Sequence, residues 1–362
     1  MLVFTTILAY FSNLIAAIKT RKTVIITLFL IGIAFIIMSF VPSSIPDYAQ
    51  YYSMYYFDYT QVEKGYEILS EFFLKRGVDY SSFRIVTTLI GITTLSIAIY
   101  RFTNDLSKFW MLYFLFPFFI DVIQVRNFLM MSFATLAASF LIKINFKNVL
   151  IYICLIIIGS SFQNAGLFFF IPLLFMLFRK KKIIKQLFVT FITLLSILSI
   201  LSRSLVYSII YKIMSIVGAE SMISSKLTYY MNGSVNYGFL LYWLAILFSY
   251  AIVNYSLRAV LEHNNSQLIA SKMAVIESFS LTSLLSLPLI IVSLDFFRIA
   301  RDIFPLVIVA YVLMVQTMKQ KRIPSLTYRC VFYANLILNI VIVYRVIWNT
   351  GIFPMLFENT LF

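Results

Sequence analysis

An all-α polytopic membrane protein is the fold class this sequence predicts, and three observations predict it. The chain of 362 residues is 62% hydrophobic and only 12% charged, with a mean hydropathy of +0.94. Stacked spans of about 20 apolar residues give such a composition, and soluble domains do not. The apolar runs are long and uniform, without the short alternating strands of a membrane β-barrel. Lipid leaves the backbone to satisfy its own hydrogen bonds, which makes each run a helix. Finally, the connections between runs alternate in charge, as they do in chains threaded through a bilayer.

Hydropathy places about twelve transmembrane helices, near 2–18, 23–41, 85–100, 109–123, 127–142, 149–162, 166–178, 186–202, 239–257, 273–294, 303–318 and 326–348. They form a single integral-membrane domain, 1–362. The first run has no basic n-region and no small-residue cleavage site, so it reads as a retained span. Several runs are shorter than about 17 residues and are expected to tilt, kink or re-enter. Pro117 and Pro172 fall in two of these, and a count of ten or eleven stays open.

One set of connections comprises 19–22, 101–108, 143–148, 179–185, 258–272 and 319–329. It holds 18 of the 29 Lys and Arg against two acids, Asp105 and Glu262. Positive charge gathers on the cytoplasmic side, so these connections face the cytoplasm and both termini are predicted extracytoplasmic. Glu277 alone among the acids lies well inside a span. The long connections 42–84 and 203–238 then face outward.

Several function classes drop out. Cys154 and Cys330 each sit in an apolar run and suit packing. The one histidine, His263, has no Cys/His cluster around it, so no metal site is expected. The net charge of +15 is scattered through short loops, which fits a membrane protein and not a nucleic-acid partner. Without a Walker motif or a sizeable cytoplasmic segment, no nucleotide or other cofactor is expected.

The outer segment 42–84 is the richest in chemistry. Eight tyrosines lie between 48 and 80, and Tyr48, Tyr52, Tyr55 and Tyr59 repeat at helical spacing. That stripe reads either as an interfacial aromatic belt or as a sugar-binding surface, where tyrosine offers a flat face and a hydroxyl. Among the acids, Glu67 and Glu71 fit a solvated face, with Glu71 paired to Lys75. Asp47 and Glu63 stand beside Pro46 and Gly65, near the membrane surface, and are the better candidates for a general base.

Arginines occur where the charge rule does not expect them. Arg126 opens a span after Gln124, while Arg298 and Arg301 lie three residues apart, on one helix face, in another short outer connection. Guanidinium stays charged and grips phosphate oxygens in a two-point fork. These arginines are therefore candidates for a diphosphate at headgroup level, against the alternatives of snorkelling or pairing with Asp121, Asp295 or Asp302. Arg84, Arg203 and Arg345 are weaker candidates. Gln163 and Asn164, one hairpin beyond Arg126, offer hydrogen bonds to sugar or phosphate, or cap helix ends.

Asp47-x3-Tyr51, Glu63-x-Gly65-Tyr66, Gln124-x-Arg126-Asn127 and Phe162-Gln163-Asn164-Ala165 follow one another over residues 40–175. Their order and spacing resemble the EpsG family, the Wzy-type polymerases of bacterial exopolysaccharide, capsule and O-antigen. The Arg298/Arg301 region resembles that family's arginine near a late span. Two features depart from the pattern. The family shows a longer Ile-Arg-Gln-type run followed by a small residue at Val125-Arg126-Asn127-Phe128, and often a histidine at Gln163. A base role for that histidine would here fall to a carboxylate or to the substrate.

The resemblance implies an architecture like the multi-span glycosyltransferases of the C superfamily, in the bacterial cytoplasmic membrane. It implies a substrate, an undecaprenyl-diphosphate-linked oligosaccharide, with repeat units joined by glycosyl transfer at the outer face. A flippase and a chain-length regulator would be partners beside the membrane lipid. Asp47, Glu63 and Arg126 would be catalytic, and Tyr51, Tyr66, Gln124, Gln163, Asn164, Arg298 and Arg301 would bind substrate. A lipid-linked oligosaccharide flippase would instead show inverted repeats and broken helices at the midplane. A membrane acyltransferase would want a histidine in or near a span, which His263 is not.

Overall fold

The computed structural model describes residues 2–19, 24–57, 63–179, 181–202, 208, 212, 238–321 and 326–361. Most of the connection 203–238 lies outside these residues, as do Asp58, Tyr59 and Arg203. Every regular element described is helical. Among the described residues, six helical stretches are long and apolar enough to cross a membrane: Tyr80–Phe102, Ile183–Leu201, Phe239–His263, Gln267–Ile290, Leu294–Gln320 and Leu326–Phe357. Shorter apolar helices cover Leu2–Asn13, Val24–Ser39, Phe146–Phe162 and Asn164–Leu177. Helices fall on each of the twelve hydropathy runs, and Val125–Phe140 is one of them.

Some runs are interrupted. The run expected at 109–123 divides into Leu106–Leu115 and Phe118–Ile123, with Pro117 between them. Proline lacks the N–H that a helix interior needs. The run at 166–178 begins as a 3-10 turn, Asn164–Phe170, and becomes α-helical at Ile171, with Pro172 in the first turn where it is tolerated. Pro305 behaves differently and stays inside the unbroken helix Phe297–Gln320. Its missing donor leaves the carbonyl four residues back, that of Arg301, without its usual helical partner.

Phe297–Gln320 is the centre of the bundle, since every residue from Arg301 to Val315 is buried. Ile183–Leu201, 17% buried, faces outward by contrast and suits lipid. Helices Tyr80–Phe102 and Val125–Phe140 pack closely at Gly91, where an added Cβ would collide with Cε1 and Cδ1 of the Phe128 ring. Glu277, the acid placed inside a span, pairs with Lys185 at 2.6 Å. A charge at that depth needs such a partner.

Segment 42–84, expected to face outward, carries helices and is not a loose loop. It folds as two helices, Tyr48–Tyr56 and Lys64–Leu74, laid against the end of the bundle. At Gly65 a Cβ would come within 2.6 Å of Ser161 Cβ and 2.8 Å of Ser161 O, so only glycine lets the second helix sit on the end of Phe146–Phe162. The tyrosine stripe is rotated from its expected face. Tyr51 and Tyr55 are buried, while Tyr48, Tyr52 and Tyr56 form the outer row with ring centroids 6.3 and 4.7 Å apart. The helix ends before Tyr59. Glu71 and Lys75 pair at 2.6 Å, as their spacing predicts.

Candidate functional site

Helices Tyr48–Tyr56 and Lys64–Leu74, with Asp47 and Glu63 at their starts, meet the start of Val125–Phe140 and the start of Phe297–Gln320 at one end of the bundle. Gln124 ends the short helix Phe118–Ile123 and begins Val125–Phe140, so the chain turns sharply there and delivers Arg126 in the new helix's first turn. Arg126 Nη1 donates to Glu63 Oε2 at 2.5 Å. The side chains are 12% and 5% exposed, so this pair is shielded from water. Tyr51 and Tyr66 wall the guanidinium, its Cζ lying 5.3 and 5.6 Å from their ring centroids. Cationic and aromatic groups at that distance attract each other. Burial pushes the Tyr51 and Tyr66 phenols up, well up for Tyr66, so both stay neutral.

Asp47 precedes helix Tyr48–Tyr56 with φ 64°, in the left-handed region, and its side chain caps nothing. An aspartate held there without a capping role is strained and free to face elsewhere. Burial pushes the Asp47 carboxyl above the ordinary carboxylate range, while Arg298 and then Arg126 pull it back. Neither Asp47 nor Arg298 has an ion pair within 4.0 Å among the described residues.

Arg298 and Arg301 share a helix but not a set of neighbours. Arg298 is half-buried and faces the Asp47 side. Arg301 is buried, and its Nη2 donates to Gln124 Oε1 at 2.7 Å. Arg301 Nη2 also lies 3.6 Å from Asp302 Oδ1, and Arg301 Nε lies 4.0 Å from Asp121 Oδ1. The expected alternative of pairing with Asp121 and Asp302 therefore holds for Arg301. Tyr113 donates to Asp121 Oδ2 and Asn127 Nδ2 to Asp302 Oδ1, each at 2.6 Å.

Sequence reasoning passed over part of this cluster. Tyr113 gave no signal beyond its position in an apolar run, and Asn127 stood in the Gln124-x-Arg126-Asn127 motif without an expected role. Arg84, ranked low, is 2% exposed; its Nε donates to Met38 O at 2.9 Å and its Nη2 to Val122 O at 2.6 Å. It ties the end of Val24–Ser39 to the turn that carries Gln124. Buried carboxylates in apolar runs were the readable clue to Asp121 and Asp302.

Two expected members stand apart. Gln163 and Asn164 connect Phe146–Phe162 to the 3-10 turn through their backbones, and neither side chain caps a helix. Asn164 is exposed, and no hydrogen bond joins either side chain to an arginine among the described residues. Gly65 against Ser161 nevertheless places this connection beside the Glu63 helix.

The cluster is charge-balanced. Arg84, Arg126, Arg298 and Arg301 stand against Asp47, Glu63, Asp121 and Asp302. What it offers an anion is therefore spare donors and not excess charge. Arg126 Nε, Arg301 Nε, Arg84 Nη1 and the Tyr66 and Tyr80 hydroxyls are all buried without a hydrogen-bond partner in the protein. Asp121 Oδ1, Asn127 Oδ1 and Asp302 Oδ2 beside them are buried acceptors without a partner, so the cluster holds unmet groups of both kinds where buried polar groups are normally satisfied. No group of three or more metal-binding side chains occurs among the described residues.

No curated protein and no solved structure matches the chain. The EpsG family model matches residues 24–357, which take in the whole cluster, and the chain belongs to the EpsG family.

Proposed function

We propose that this protein is a Wzy-type polysaccharide polymerase. It joins undecaprenyl-diphosphate-linked oligosaccharide repeat units at the outer face of the bacterial cytoplasmic membrane. The observation that carries the reading is the convergence of Arg126 on Glu63, and of Arg298 and Arg126 on Asp47, beneath a tyrosine-rich cover, with Arg301 held on Gln124 beside them. Twelve crossings with both termini outside, in the manner of the C-superfamily glycosyltransferases, would put this cluster at the outer headgroup level, within the single domain 1–362.

The chemistry assigns different roles to the two candidate acids. Glu63 is engaged with Arg126 and holds that guanidinium in place. Asp47 has no such partner, and its raised affinity for a proton makes it the better base. An acceptor sugar hydroxyl attacks the anomeric carbon of the donor chain and gives its proton to Asp47. The bond from that carbon to the diphosphate oxygen breaks, and the electron pair leaves with the diphosphate. Arg126 and Arg298 neutralise the leaving charge, while Arg301 and Gln124 fix the turn beneath them. Tyr48, Tyr52 and Tyr56 provide aromatic faces for sugar rings.

Broken helices also suit a transporter. Here the charges cluster at helix ends and not at the midplane, which favours transfer chemistry. The test is purified protein supplied with lipid-diphosphate repeat unit alone. A glycan ladder is the expected product, and folded protein that makes none would remove the polymerase reading. A separate flippase and chain-length regulator would supply the unit and set its repeat number.

A further inference from the structure

A second polar cleft lies at the far end of the bundle. Helix Tyr80–Phe102 begins at Tyr80, against Tyr48 and Tyr52 of the outer cover, with ring centroids 5.3 and 5.8 Å apart. It runs for 23 residues, about 34 Å, roughly one hydrocarbon thickness. At its other end, Phe102 lines an open cavity of about 540 Å³. Helix Phe297–Gln320 makes the same journey, from Arg298 in the cluster to Lys319 and Gln320 in the cavity wall. The cavity therefore opens at the opposite membrane face.

Its lining is two-sided. Lys108, Lys272 and Lys319 supply positive charge, and Ile269, Leu313 and Val315 supply an apolar wall. The only acid in the lining is Asp105, which caps the helix Leu106–Leu115 and pairs with Lys108. Lys272 Nζ donates to the carbonyl of Phe102 at 2.6 Å and retains two further protons. Neither Lys272 nor Lys319 pairs with an acid among the described residues. Thr103 and Gln316 hold the two long helices together at the rim by a mutual hydrogen bond of 3.2 Å. Three lysines come from three separate connections of the basic set, and the fold brings them into one cavity.

We propose that this cleft binds a phosphate group, carried by an anionic phospholipid of the facing leaflet or present as the free ion. A basic pocket between spans, with an apolar wall beside it, matches a headgroup whose glycerol and acyl start lie against Ile269 and Leu313. Its volume falls within the range of roughly 300–1,000 Å³ typical of small-ligand sites. Under the positive-inside assignment that leaflet is the cytoplasmic one. The site is independent of the outer cluster and of the polymerase reading.

The test uses full-length protein in a neutral detergent, titrated with short-chain phosphatidylglycerol, short-chain phosphatidylcholine or inorganic phosphate, and read by native mass spectrometry and calorimetry. Lys272→Gln keeps a donor for the Phe102 carbonyl while removing the charge. Near a membrane surface each lysine is worth about 1 kcal/mol, or about fivefold in affinity. Phosphatidylglycerol should bind more tightly than phosphatidylcholine, weaken about fivefold in Lys272→Gln, and weaken again in Lys272→Gln/Lys319→Gln. Competition by inorganic phosphate at equal strength would assign the site to the free ion. Equal binding of both lipids, or binding of phosphate and phosphatidylglycerol that both variants leave unchanged, overturns the proposal. Unchanged melting of the ligand-free variants guards against misfolding, and Lys319→Glu, exposed on its helix end, repeats the test at a site that cannot disturb the core.

Discussion

Removing Arg126 and Glu63 separately and together tests whether the outer cover is fastened by this pair. Arg126→Met strands a carboxylate whose side chain is only 5% exposed. Breaking a shielded pair in that way costs about 3–5 kcal/mol. Glu63→Gln is milder, because the amide oxygen still accepts a hydrogen bond and the guanidinium keeps the Tyr51 and Tyr66 faces. A cost of about 1–3 kcal/mol is expected, the usual range for a buried donor that loses a charged partner. The double variant has neither buried charge to strand, so its cost should fall short of the sum by about 1–3 kcal/mol. Equilibrium unfolding of purified protein in mixed micelles measures all four forms. Additivity within about 0.5 kcal/mol would show that the two groups do not act as a unit, and the arrangement drawn for the cluster would fail. Polymerisation measured on the same proteins separates structure from chemistry. With Glu63 as the holder of Arg126, Arg126→Lys should lose activity even when folded, because an ammonium cannot make the two-point fork.

Three further outcomes follow from single positions. Gly65→Ala should destabilise the outer helix by about 1–3 kcal/mol through overpacking on Ser161, with partial recovery in Gly65→Ala/Ser161→Gly; an unchanged melt would refute the close approach. Asp47→Asn keeps a side chain that tolerates the left-handed backbone and removes a group whose folded pKa is raised. The carboxyl's raised pKa favours the fold below its ordinary range, and that advantage disappears as pH rises through the folded value. The variant should therefore be the more stable form near neutral pH and lose that lead in acid, while transfer activity falls by about 10²–10⁴ if Asp47 is the base. Arg84→Lys reaches only one of the carbonyls of Met38 and Val122, so thermal melting should show a loss of about 1–3 kcal/mol, and no loss would mean that the two-point tie is not structural.

Helix positions were readable because apolar length is a one-dimensional signal: every run found by hydropathy carries a helix, and six helical stretches among the described residues are long enough to cross a membrane. Interruptions were readable only where proline stood. Pro117 marked one, and the turn at Leu284 and Leu285 follows the polar run Ser280, Thr282 and Ser283 and precedes Pro288, signals that hydropathy alone does not weigh. Pro305 shows the reverse, a proline kept in a continuous helix because packing on all sides overrides it. In the cluster, residue types were legible but pairings were not. Glu63 and Arg126 are 63 positions apart, and only folding the 42–84 segment onto the bundle joins them. The tyrosine spacing gave a helix but not which face would be buried. That face depends on Phe83, Val125 and Leu129, which belong to other elements.

Charge balance has a mechanistic consequence for donor binding. The arginines here are already opposed by four carboxylates, so a diphosphate must draw a guanidinium away from an existing neighbour. Arg298 is the most available, since it lies in no ion pair among the described residues, and of the charges near Asp47 it does most to keep that carboxyl ionised. As Arg298 turns its field to a bound diphosphate, Asp47 loses the largest influence that keeps its carboxyl charged, and its proton affinity rises. Donor binding would thus strengthen the base that activates the acceptor, and an empty site would hold a weaker one. Arg298→Gln separates this coupling from simple diphosphate affinity. If the coupling operates, the variant's acid-limb pKa in the rate profile should sit above that of the parent before donor is bound, and shift less when it is. If Arg298 serves only to bind, the variant should raise the donor concentration needed and leave the pH profile where it was.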